Sequence, residues 1–219
     1  MSEATRRWID AATGVGFVVP MTVALALPGQ PPKADDPLEK VTAILIGHRT
    51  AFLASGYIAG LAAMAYLWFL GSVSAYLRPA RQDGATGAAR GAGVFAIALL
   101  LLGMAMFSGV AFVAARVGTP APVRAFTDTG NTAIETSKFG FALFLLAVSR
   151  AGAAGGQLPR WLTRRGFLAV PVIVLSAVSL FVDRGPFQFG GAIDAGGAIP
   201  ALVWIVALSA VMMRKAVTP

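Results

Sequence analysis

The stretch GAGVFAIALLLLGMAMFSGVAFVAA, residues 91–115, runs without a charged side chain and is closed at its two ends by Arg90 and Arg116. A hydrocarbon core about 30 Å thick is crossed by roughly 20 helical residues, so this stretch predicts a membrane-spanning helix. Working outward, similar apolar segments predict five more helices, at about 12–28, 50–76, 132–149, 166–182 and 197–213. The last three are short for a span, which implies little tilt or a locally thin bilayer. The chain as a whole agrees: its 219 residues are 57% hydrophobic and 13% charged, with a mean hydropathy of +0.73. A soluble domain carries about 25% charge. The expected fold is one all-α domain over 1–219, a polytopic six-helix transmembrane bundle.

The charges between these helices divide by side. The side of the N-terminus holds Arg6, Arg7, Arg78, Arg81, Arg90, Arg150, Arg160, Arg164, Arg165, Arg214 and Lys215 against Glu3, Asp10 and Asp83. The other side holds Lys33, Lys40, Arg49, Arg116, Arg124 and Arg184 against Asp35, Asp36, Glu39, Asp128, Glu135, Asp183 and Asp194. Short cytoplasmic loops collect Lys and Arg, so both termini are expected in the cytoplasm (N-in, C-in), and the even helix count agrees by placing them on one side. The pI of about 10.8 is therefore an orientation signal rather than a mark of nucleic-acid binding. Its expected partner is the bilayer, with anionic headgroups against clusters such as Arg160, Arg164 and Arg165 beside Trp161.

Arg6 and Arg7 precede an apolar stretch ending Ala24-Leu25-Ala26, which has the form of a signal peptide. Pro20 interrupts that run and the stretch is long enough to span, so an uncleaved first helix is expected. The twin arginine lacks the rest of an export signal.

The absence of cysteine and the single histidine exclude disulfides, thiolate metal sites and covalent haem attachment. The glycine-rich stretches 152–156 and 190–197 lack the Lys-Ser/Thr of a phosphate-binding loop. No cofactor and no metal is expected. Ser137 and Lys138 are adjacent in sequence and so face different sides of a helix, which argues against a Ser/Lys dyad and an enzyme.

Lipid supplies no hydrophobic drive between helices, so small residues mark where backbones approach. Gly56 and Gly60 form a GxxxG pair, and Ala105 with Gly109 offers a second small face. Both are expected to pack within the bundle, with homodimerisation or another membrane-protein partner as the alternative.

Function is expected in the polar run Asp128-Thr129-Gly130-Asn131-Thr132-Ala133-Ile134-Glu135-Thr136-Ser137-Lys138. Lys138 lies twelve residues before Arg150, about 18 Å along a helix and near mid-bilayer. A charge there costs at least about 2.5–3.5 kcal/mol unless it is paired or hydrated. Glu135, three residues earlier, or a carboxylate from a neighbouring helix is expected to compensate it. A structural pair, a substrate or proton site and a snorkelling lysine all fit. His48 and Arg49 open the second predicted helix on the same side and could meet Glu135 or Asp128 in a polar pocket, or His48 could simply be solvated.

The residues His48-Arg49-Thr50-Ala51-Phe52, Tyr66-Leu67-Trp68-Phe69-Leu70, Thr127-Asp128-Thr129-Gly130-Asn131 and Leu158-Pro159-Arg160-Trp161-Leu162 carry a resemblance. Over residues 42–182 the chain resembles a broad family of uncharacterised six-helix bacterial integral membrane proteins. That resemblance implies a bacterial inner-membrane location and supplies no activity and no catalytic residues. No internal repeat is visible, which weakens a repeat-based transporter. The function expected from the sequence is a non-enzymatic small-molecule-binding protein or accessory subunit, with a solute or proton-coupled permease as the alternative.

Overall fold

The computed structural model describes residues 2–33, 35–80, 83–117, 120–182 and 184–217. Arg81 and Asp183, and the side chain of Arg116, lie outside the described residues. Among those described, no strand occurs, and eight α-helices follow in order: α1 (Glu3–Ala26), α2 (Leu38–Gly47), α3 (Arg49–Leu77), α4 (Asp83–Val117), α5 (Pro120–Ala154), α6 (Arg160–Ser176), α7 (Ala192–Gly197) and α8 (Ile199–Val217). Six helical segments, built on α1, α3, α4, α5, α6 and on α7 with α8, are long and apolar enough to cross a membrane. This is a multi-pass helical bundle.

The helices outrun the apolar segments of the sequence because hydropathy marks only the part immersed in lipid, while the helix continues wherever its backbone bonds are met. Ser2 caps α1 by accepting from the Thr5 backbone N–H at 3.2 Å, which starts the helix at Glu3 instead of near residue 12. The largest difference is α5, which begins at Pro120 rather than 132. Within the helix its polar run satisfies its hydroxyls on the preceding turn: Thr127, Thr129, Thr132 and Thr136 each donate to the carbonyl four residues earlier, at 2.7–2.8 Å. At its other end α6 tightens into a 3₁₀ segment, Ala177–Phe181. The short helices α2 and α7 lay outside the sequence reading.

The six long helices close a ring in chain order, each packed on the next, with α8 returning against α1. At its centre Phe17 (α1), Tyr66 (α3) and Phe141 and Phe144 (α5) stack with centroids 4.5–6.5 Å apart, and Trp204 (α8) meets Phe144 edge-on at 6.2 Å. A smaller cluster, with Val41 and Leu45 of α2 beside Phe52, Phe107 and Phe189, covers the face opposite the termini.

Close approach is concentrated between α4 and α5. A Cβ added at Gly140 would lie 2.8 Å from the Ala96 Cβ, and one at Gly103 would lie 2.7 Å from the Gly130 carbonyl oxygen. This corrects the expected packing. Gly56 does meet α4, where an added Cβ would strike the Ser108 hydroxyl, but Gly60 has nothing within 4 Å. Ala105 and Gly109 are exposed. Four-residue spacing places two small residues near one face, but which neighbour that face meets depends on how the ring closes.

Candidate functional site

Glu135 and Lys138 are both buried on α5, and the Lys138 Nζ donates to the Glu135 Oε2 at 2.8 Å. Lys138 does not snorkel. It also pairs with the Asp194 carboxylate, a second acid that the sequence reading had placed only among the loop charges. Asp194, in the first turn of α7, is buried as well, and its main-chain oxygen lies 3.5 Å from the Lys138 Nζ. The Ser179 hydroxyl donates to the same Glu135 oxygen that Lys138 engages.

Local chain geometry sets these partners in place. The 3₁₀ segment after α6 carries Ser179 toward α5. Gly185 and Gly190, with φ of 85° and 73°, turn the chain back toward the bundle, a backbone conformation that side chains disfavour. The Gly190 N–H then donates to the Asp194 Oδ2 at 2.8 Å, which fixes the carboxylate. The backbone of α7 is pressed against α6, since a Cβ at Gly197 would lie 2.0 Å from the Ser176 Oγ. The glycines of 190–197 are thus a device for bringing Asp194 to Lys138. Their density was visible in the sequence, but their target was not.

Glu135, Lys138 and Asp194 form part of the wall of a cavity of about 870 Å³. It extends from a floor at Phe17 and Phe141 to the connections 28–33 and 185–191. Apart from the charged group its wall is largely apolar, with Met21 from α1, Leu100 and Met104 from α4 and Ile173 from α6.

The hydrogen-bond capacity of the charged group is asymmetric. The Lys138 donors are directed at Glu135 and Asp194, and Glu135 Oε2 and both Asp194 carboxylate oxygens accept. Glu135 Oε1 is buried without a partner among the described residues. With every group ionised, two carboxylates surround one ammonium.

The remaining expected residues go elsewhere. Asp128 pairs with Arg124 at 3.0 Å on the α5 surface, four residues apart. Asn131 is buried one turn before Glu135, with its Oδ1 unpartnered among the described residues. His48 is exposed where α2 meets α3. Arg49 lies over the Phe112 ring, 5.3 Å from its centroid, with its Nε buried and unbonded among the described residues. The expected meeting of His48 or Arg49 with Glu135 or Asp128 does not occur, because α4 separates α3 from α5 along most of the ring. No group of three or more His, Cys, Asp or Glu able to hold a metal occurs among the described residues.

On the connection from α1 to α2, Asp36 accepts from the Lys33 N–H at 2.9 Å and the Lys40 Nζ at 2.6 Å, while Arg124 donates to its main-chain oxygen at 3.0 Å. Desolvation pushes the Asp36 carboxyl up, but these hydrogen bonds and the Lys40 and Lys33 charges outweigh it and hold the group below its ordinary value.

Set beside known proteins, the chain matches no family model, no curated protein and no solved structure.

Proposed function

We propose that this protein binds a small molecule in the cavity walled by Glu135, Lys138 and Asp194, without catalysing its conversion. The observation that carries the reading is a buried charged group set into a largely apolar cavity of about 870 Å³. Ligand sites have this form: volumes of about 300–1,000 Å³, apolar walls and a few converging polar groups. Ionisable groups within membrane spans are costly and tend to mark function. Carriage of a solute would require the aromatic floor at Phe17, Tyr66 and Phe141 to part, so binding is favoured over permeation. The division of loop charge supports both termini in the cytoplasm, and the family resemblance supports a bacterial inner membrane.

Native mass spectrometry of protein taken from its own membranes tests the binding. A small molecule should accompany the wild-type chain and be absent from Ala198→Phe, which places a ring in the cavity wall. Equal occupancy in both, or a wild-type chain that carries no small molecule and is stabilised by none of a broad compound set, would refute the reading.

A further inference from the structure

We infer that the ligand is an organic cation: an amphipathic amine whose ammonium donates to Glu135 Oε1 while its apolar body occupies the cavity. The inference rests on the cavity being a small-molecule site.

Three independent features of the wall converge on that chemistry. The first is charge. With both carboxyl groups ionised, two buried carboxylates face one ammonium, and at this depth that excess of negative charge is balanced by a cation. The second is hydrogen-bond capacity. The Lys138 donors are engaged by Glu135 and Asp194, the Ser137 hydroxyl by Ile134 and the Ser55 hydroxyl by Ala24, whereas Glu135, 2% exposed, keeps Oε1 without a donor among the described residues. The charged group can therefore accept from a ligand but has little left to donate, which suits an ammonium and disfavours a carboxylate or phosphate. The third is the apolar wall. Phe17, Phe52, Phe107, Phe141 and Phe189 all line the cavity, and phenyl rings both bury a hydrocarbon body and attract cations to their faces. Lys33, the other basic residue in the lining, lies on the connection at the far end, where its charge acts on Asp36.

Three probes of one shape separate the possibilities: diphenylpropylamine, diphenylpropanol and diphenylpropionate. Binding is measured by isothermal titration to the full chain in nanodiscs of zwitterionic lipid, with lipid-only nanodiscs subtracted. The amine should bind at least about tenfold more tightly than the alcohol, and the carboxylate most weakly. Glu135→Gln should weaken the amine by about tenfold to a hundredfold, the loss expected of one charge-assisted hydrogen bond, and weaken the alcohol, a neutral donor, by less. If the alcohol or carboxylate matches the amine, or if Glu135→Gln leaves the amine unaffected, the cation assignment is wrong while the cavity remains a small-molecule site. If no probe binds, both readings fall. Should Glu135→Gln not fold, the ranking of the three probes on the wild-type chain decides alone.

Discussion

Replacing Lys138 by Met would leave Glu135 and Asp194 facing each other without the ammonium that both engage. Breaking a buried ion pair from one side costs about 3–5 kcal/mol, so Lys138→Met should melt well below the wild-type chain in detergent. Glu135→Gln is a milder change. The amide keeps the shape and one acceptor for Lys138, and Asp194 still balances the lysine, so a loss of only about 1 kcal/mol is expected. Equal losses in the two variants would show that Asp194 does not share the lysine. Asp36 predicts a pH dependence of opposite origin to burial. Its carboxyl is held below the ordinary value, so its contribution is complete above about pH 4 and disappears as pH falls through the lowered value. Hydrogen-exchange protection over residues 35–40, after correction for the intrinsic rate at each pH, should fall in that acid range in the wild-type chain and stay level in Asp36→Asn.

The contact between α4 and α5 depends on the absence of side chains at Gly103, Gly130 and Gly140. Gly140→Leu must displace Ala96 or the Ala92 carbonyl, and overpacking of that kind costs about 1–3 kcal/mol or more. Gly60→Leu has open space and should melt close to wild type. A Gly60→Leu variant as unstable as Gly140→Leu would mean that helix α3 is turned differently from the arrangement described. The apolar stretches announced these helices because their composition answers to lipid, but their ends were hidden. Ser2 before α1 and Pro159 before α6 set such ends through a backbone hydrogen bond and φ/ψ preference, not through hydropathy.

At the scale of the molecule, the ring presents large apolar side chains outward, Leu168 and Tyr57 among them, as a bilayer would require. Trp68 donates to Asp10 at 2.8 Å, and Lys215 donates to the Gln157 carbonyl while lying over the Tyr76 ring. These contacts tie α1 to α3, and α8 to α3 and the turn after α5, on the face that carries both termini. Cysteine labelling tests which compartment that face meets, in a chain with no native cysteine. Gly84→Cys, exposed on this face, should resist an impermeant reagent added to intact cells, and Gly29→Cys on the opposite face should react. Labelling in the reverse sense would overturn the orientation.

The sequence alone determined that six helices cross a membrane and that Lys138 needs an acid, because the cost of exposing polar groups to hydrocarbon is paid locally, residue by residue. It made Glu135 legible for the same reason, three residues away on one helical face. Asp194 and Ser179 became partners only through the closing of the ring, since they approach Lys138 and Glu135 from 56 and 44 residues away in the chain. The same closure set α4 between α3 and α5, which left Arg49 on Phe112 and His48 in the open. Helical periodicity fixes which residues share a face. Which face meets which is settled only when all the helices pack at once, and that packing forms the cavity beside the buried charges.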